Sequence, residues 1–263
     1  MSEYNEAGSG KPSKIYTLIY NWGRLKEKME SIYIVMPAYN EEENIEEVVR
    51  GWYPKLDGKS SASRLVVADS GSSDRTHEIL ENLRLEFPRL ELLGNCDRQH
   101  GPKVIALYRY AIDAGADYVF QTDSDGQTLP EEFDAFWELR HNHDAILGWR
   151  KVRGDGRFRA FSEKIVCRMV RHYFDTKVPD ANAPFRLIKC SMLARYIDRL
   201  PADYDIPNIV LTAWFASCDE NIAFRTITFR ERDKGAGSVN LKKLVKTGRR
   251  AMSDFRAFSE ISP

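Results

Sequence analysis

The chain has 263 residues, 43% apolar and 11% aromatic, which is enough to bury a sizeable core and too hydrophobic for a disordered chain. Lysine plus arginine and aspartate plus glutamate balance at 39 each, so no overall charge directs it to nucleic acid and any basic surface is local. Cys96, Cys167, Cys190 and Cys218 are far apart without metal-binding spacing, no apolar run nears the roughly 20 residues of a membrane span, and the N-terminus lacks a signal-peptide core; the expectation is a reduced, cytoplasmic protein.

Residues 1–14 are polar and carry glycine and serine, and 15–29 holds the aromatics of a short docking helix, so 1–30 reads as an extension. Ile32 to Met36, ended by Pro37, reads as a first buried strand, and 41–52 carries Ile45, Val48, Val49 and Trp52 at helical spacing. The unit recurs. A strand at 64–68 precedes the turn 69–74 and a helix over 76–87; a strand at 90–93 precedes a helix over 104–114; a fourth strand ends at Thr122. Alternation of this kind predicts a Rossmann-like α/β fold, a doubly wound and mostly parallel sheet with flanking helices. Further along, 131–141 reads as helix, 144–149 as strand, 161–174 as helix after a basic loop, and 222–229 as strand. Residues 239–258 place Leu241, Leu244, Val245, Met252 and Phe255 on one stripe and Lys242, Lys243, Lys246, Arg249 and Arg250 on other faces, a basic amphipathic helix. The division expected is 1–30, a main unit over 31–238, and a helix over 239–263.

Asp123 and Asp125 follow the fourth strand directly, so a pair of hard oxygen ligands stands at a strand's C-terminal end, where open α/β sheets place their sites. Such a pair suits Mg²⁺ or Mn²⁺ held against a diphosphate. Acidic residues also follow the first and second strands, at Glu41 and Asp69, and loops after successive parallel strands converge on one crevice. Asp74 reads as the cap of the helix after it.

Three segments in order, 37–45 (PAYNEEENI), 67–76 (VADSGSSDRT) and 123–127 (DSDGQ), resemble the successive signatures of family 2 glycosyltransferases with the GT-A fold. Gly148-Trp149-Arg150, residues 180–187 (DANAPFRL), and Arg232 with Gly237-Ser238 resemble later motifs of the branch containing dolichyl-phosphate mannose synthase and its bacterial relatives. The resemblance makes 31–238 a GT-A domain and implies a nucleotide-diphosphate sugar as donor, with Pro37, Tyr39 and Glu41 cradling the nucleoside and Asp69 accepting from the base. Asp125 would be the metal ligand, with Asp123 nearer the ribose. Lys103, after Gly101-Pro102, falls where the family often has a phosphate-facing base. Arg150, Arg153, Arg157, Arg186 and Arg232 are candidate cations toward donor or acceptor phosphate.

Family members that glycosylate hydroxyls carry an acidic base on a later helix, and its usual position falls near Val210 here. A phosphate monoester is already anionic at neutral pH and attacks without a base, so the missing carboxylate favours a polyprenyl-phosphate acceptor over a surface glycan. Asp180 and Asp205 remain alternatives for a base. The basic C-terminal helix has two readings, peripheral contact with an anionic membrane at the inner face of the cell membrane, or packing on the domain. A sugar-1-phosphate nucleotidyltransferase would use a similar sheet but needs a glycine-rich basic loop after the first strand, which Pro37-Ala38-Tyr39-Asn40 does not supply; a non-catalytic nucleotide-sugar-binding relative is the third reading.

Overall fold

The computed structural model describes residues 29–94, 96–151, 157–231 and 253–260. Seven strands, β1 (Ile32–Ala38), β2 (Arg64–Asp69), β3 (Leu90–Leu92), β4 (Tyr118–Thr122), β5 (Ala145–Trp149), β6 (Phe185–Lys189) and β7 (Ile222–Thr226), form one sheet in the spatial order β3-β2-β1-β4-β6-β5-β7. β1 pairs in parallel with β2 and β4, β2 with β3, and β5 with β7. β6 is antiparallel to both β4 and β5, so the other strands share one direction. The helices are α1 (Ile45–Trp52), α2 (Thr76–Glu86), α3 (His100–Asp113), α4 (Phe133–Trp137), α5 (Arg157–Phe174), α6 (Cys190–Ile197) and α7 (Pro207–Ser217), with a further helix at 253–260.

The strands are continuous apolar runs because both faces of the sheet are covered. Side chains alternate between the faces. Val35, Val66, Val119 and Leu147 pack with α3 and α7, while Ile34, Val67, Phe120 and Ile146 pack with α1 and Phe133. Trp52 anchors the second layer, its ring 5.3 Å from Phe120 and 6.2 Å from Phe133. The basic stripe expected over 239–258 lies largely outside the described residues. In the part within them, Phe255 packs 5.9 Å from Phe174, Phe258 packs 5.4 Å from Trp214, and Trp214 Nε1 donates to the Phe258 carbonyl at 3.0 Å.

Several boundaries differ from the sequence reading. α3 begins at His100 rather than near residue 104, because Gly101 and Pro102 fit a first helical turn whose N–H groups need no partner. The helix expected over 131–141 shrinks to α4 after a 3₁₀ turn, since Leu139, Arg140 and Asn142 bond three residues back and tighten the chain out of the α form. The expected 222–229 strand ends at Thr226.

Gly101 is where α3 meets the segment before α7. A Cβ there would collide with the backbone carbonyls of Tyr204 and Asp205, neither of which is a flexible side-chain end. Gly101→Ala is therefore expected to destabilise the fold by about 1–3 kcal/mol, read as a lowered midpoint in chemical denaturation; an unchanged midpoint would show that the two segments separate without cost.

Candidate active site

The strand order reverses direction at β1 and β4, and the crevice beyond their C-terminal ends is the topological switch point of the sheet. Asp123 and Asp125 lie there. The loop that carries them is fastened on both sides. Ser124 Oγ donates to the Pro37 carbonyl at 2.8 Å, the Thr122 and Thr128 hydroxyls are 2.7 Å apart, and Gln127 Nε2 donates to the Arg230 carbonyl at 2.7 Å. Gly126, at φ 73°, makes the reversal that an L side chain resists. With Ser124 and Gln127 buried beneath it, the loop presents the two aspartates at the edge, partly exposed.

The loops after β1 and β2 are clipped together. Asn40, itself at φ 54°, donates its backbone N–H to Ser72 Oγ at 3.0 Å and accepts from Ser73 N at 2.8 Å. Glu41 N donates to Thr76 Oγ1 at 2.8 Å, and the Glu41 carboxylate accepts from Asn44 Nδ2 at 2.8 Å. Asp69, buried at the end of β2, accepts from Ser72 Oγ at 2.5 Å and lies 3.3 Å from His77 Nδ1. Asp74 is structural: it accepts from the Thr76 N–H and hydroxyl and from the Glu42 N–H. Burial alone would raise its pKa, but those hydrogen bonds outweigh burial and hold the carboxyl below its ordinary value. Tyr39 stands 47% exposed above this frame, an aromatic face open to a ligand.

Lys103 takes a different place from a phosphate-facing loop cation. It lies in the first turn of α3, is buried, and donates to the Ala38 carbonyl at 2.5 Å with its ammonium 5.3 Å from the centre of the Tyr39 ring. Burial lowers its pKa. In this geometry it ties the end of β1 to α3 beneath Tyr39. His100 opens α3 with Nε2 3.2 Å from Asp123 Oδ1. Desolvation opposes its protonation, but the bond to Asp123 and the fields of both aspartates outweigh that and raise its pKa from the ordinary value.

Arg150 and Asp180, each offered by the sequence as a separate catalytic candidate, are partners. The Arg150 guanidinium grips Asp180 through Nε and Nη2, both at 2.8 Å, and its backbone N–H adds a third bond at 3.1 Å. Asn182 N donates to Asp180 as well, at 3.1 Å, so both carboxylate oxygens are doubly engaged. Burial raises the Asp180 pKa, Arg150 more than cancels that, and the net shift is downward. A carboxylate so held is a poor base, which argues against Asp180 as the group that takes a proton from the acceptor. Arg186 lies on β6, wholly buried, with Nη1 donating to the Asn208 carbonyl at 3.1 Å while Nε and Nη2 have no hydrogen-bond partner among the described residues. Val210, where the family's base would fall, is buried in the core; the polar residue of that helix near the site is Asn208. Arg153 and Arg232, with Gly237 and Ser238, lie outside the described residues.

Among the described residues no three histidine, cysteine or acidic side chains cluster into an all-protein metal cage. The donor set at the loop after β4 still fits a small hard cation, because Mg²⁺ and Mn²⁺ are held by one or two carboxylates together with substrate phosphates and water. Asp125 and Asp123 supply those oxygens on a loop already fastened in place.

An open, mostly parallel sheet with acidic loops at its switch point defines a doubly wound α/β protein with its candidate site at the strand ends. The family model for glycosyl transferase family 2 matches residues 33–199, and the chain belongs to that family. It is 23% identical over 218 residues to the undecaprenyl-phosphate 4-deoxy-4-formamido-L-arabinose transferase of Edwardsiella ictaluri, an alignment covering 82% of this chain and 65% of that one. It is 35% identical over 100 residues to the succinoglycan biosynthesis protein ExoA of Rhizobium meliloti, covering 38% of this chain and 29% of that one. The chain thus spans just under two thirds of the length of the arabinose-transferase relative. Among solved structures, glucosyl-3-phosphoglycerate synthase from Mycobacterium tuberculosis in complex with Mn²⁺ and UDP-glucose has a TM-score of 0.64 at 18% identity, covering 89% of this chain and 80% of that one. That likeness establishes the GT-A type of sheet.

Proposed function

We propose that the protein transfers a sugar from a nucleotide-diphosphate sugar to a polyprenyl phosphate, with inversion at the anomeric carbon. The observation that carries this reading is the Asp123–Asp125 pair on a fastened loop at the switch point, beside the exposed Tyr39 ring and the Asp69 carboxylate. Tyr39, Glu41 and Asp69 would receive the nucleoside, Asp123 the ribose side, and Asp125 with Asp123 would hold Mg²⁺ or Mn²⁺. When bound, the ion neutralises charge developing on the leaving diphosphate. Transfer joins an acceptor oxygen to the anomeric carbon from the face opposite the diphosphate, while the bond to the β-phosphate oxygen breaks and its electron pair leaves with the nucleoside diphosphate. His100, with Nε2 3.2 Å from Asp123 Oδ1, stands at the same edge.

The choice of acceptor follows from the proton. Asp180 is held by Arg150, and the site-facing turn of α7 offers Asn208 rather than a carboxylate. A phosphate acceptor needs no base. The name of the Edwardsiella relative, an undecaprenyl-phosphate transferase, supports the same acceptor class. We place the catalytic unit at 31–238, with 1–30 as an N-terminal extension and 239–263 as a basic C-terminal segment whose stretch 253–260 packs on α5 and α7, and we place the enzyme at the inner face of the cell membrane. No helix among the described residues is long and apolar enough to cross a membrane.

The test is transfer of labelled sugar to a polyprenyl phosphate across a panel of nucleotide sugars with Mn²⁺. One donor is expected to be used, and Asp205→Asn is expected to keep turnover within about threefold, since no proton needs removal. A loss beyond about a hundredfold in Asp205→Asn, with donor binding intact, would mean a base and a hydroxyl acceptor.

A further inference from the structure

Behind Asp123 runs a buried line of hydrogen bonds with one direction. Tyr108 on α3 donates its hydroxyl to Asn208 Oδ1 at 3.0 Å; Asn208 on α7 donates Nδ2 to Gln121 Oε1 at 2.9 Å; Gln121 on β4 donates Nε2 to Asp123 Oδ1 at 3.2 Å. Tyr108, Asn208 and Gln121 are almost wholly buried, whereas the Asp123 side chain is 24% exposed at the crevice. A phenol has one proton to give, and giving it to Oδ1 turns the Asn208 amide so that Nδ2 faces Gln121. That in turn leaves Gln121 Oε1 accepting and Nε2 free to donate to Asp123. Burial pushes the Tyr108 hydroxyl up to about 12, so it stays a donor across the neutral range. Arg186 Nη1 holds the Asn208 carbonyl from below, in register with Gln121 across β4 and β6.

We propose that Tyr108, Asn208 and Gln121 are positioning residues that fix the rotamer of Asp123, so that α3 and α7 set the geometry of the carboxylate pair without touching the ligand. The proposal rests on the donor-binding reading of that pair, and its test separates the two. Outer-shell partners of this kind typically change metal affinity or activity about 10–100-fold when altered. Asn208→Asp keeps the shape of Asn208 and removes its donor, so Gln121 turns its Nε2 toward residue 208 and its oxygen toward Asp123. Tyr108→Phe removes only the hydroxyl.

The first readout needs no ligand. In the full chain, the side-chain amide resonances of Gln121 are followed by NMR in Tyr108→Phe, Asn208→Asp and Asp123→Ala, with Thr212→Val as the control, because Thr212 bonds the Asn208 carbonyl on the same helix and lies off the relay. The three relay variants are expected to shift those resonances and Thr212→Val to leave them. Resonances that ignore Asp123→Ala or Asn208→Asp would overturn the relay. The second readout is binding of Mn²⁺ with a nucleoside diphosphate, followed by the spectrum of free Mn²⁺. Asn208→Asp is expected to weaken it at least tenfold, with Thr212→Val unchanged; equal affinity in the wild type and Asn208→Asp would overturn the positioning role. A wild type that binds no Mn²⁺ with any nucleoside diphosphate, while the resonances behave as expected, would instead strike the donor-binding reading and leave the relay standing.

Discussion

Asp125→Asn should lose transfer activity by about a hundredfold to a thousandfold, the scale on which removing one electrostatic stabiliser of a developing anion acts. The amide keeps the size of the carboxylate and its Oδ1, which accepts from Gln127 N at 3.2 Å, so the loop should keep its shape. Its anchors lie elsewhere, in Ser124 on Pro37 and Gln127 on Arg230. Melting temperature should therefore move little, while the ability of Mn²⁺ to enhance nucleotide-sugar binding should largely vanish. The measurement is kcat and KM for donor at saturating acceptor, together with a melting curve. A variant that turns over like the wild type would remove Asp125 from the metal role; one that simply fails to fold would show the loop depends on that charge.

The second large effect is on stability. Arg150→Ala should destabilise the protein by about 3–5 kcal/mol, because it leaves the Asp180 carboxylate buried without its cation. Both side chains are sequestered, and Arg150 also reaches Glu163 at 3.3 Å and lies 5.1 Å from the Phe229 ring centre, so β5, α5 and the segment after β7 lose a common tie. The pH dependence follows from Asp180. Its folded-state pKa lies below the unfolded value, so the contribution is fully present above the unfolded carboxylate pKa and is lost as pH falls through the folded one. Urea midpoints at neutral and acid pH should show the gap between wild type and Arg150→Ala closing as pH falls below about 4. A gap that stays constant with pH would mean the loss is one of packing rather than of the ion pair.

The parts of the site that the sequence made legible are those where local chemistry and chain order coincide. The apolar run 118–122 ending in Asp123 already implies a strand edge with ligands on it, and the repeated strand-loop-helix order brings Glu41, Asp69 and Asp123 to one side of a sheet. Arg150 and Asp180 were legible as polar residues beside strands but not as a pair, since 30 residues of chain separate them and their meeting depends on β6 turning back between β4 and β5. β6 itself was hidden because Arg186 interrupts its apolar pattern, and inside the fold that arginine donates Nη1 to a carbonyl on α7. The start of α3 was hidden as well, and with it the place of Lys103 and the contact of His100. A glycine and a proline at 101 and 102 read as a loop, while in the fold they begin α3 and carry both side chains to the ends of β1 and β4. Asn208 gave no signal, because a single asparagine in an apolar segment shows its role only through partners on other elements.

A crystal of the full chain grown with Mn²⁺ and the nucleoside diphosphate of its best donor tests the central claim most directly. The anomalous signal of the ion should fall beside Asp125, between that carboxylate and the diphosphate, with the nucleoside against Tyr39 and Asp69. An ion bound elsewhere, or a diphosphate seated away from the ends of β1 and β4, would contradict it.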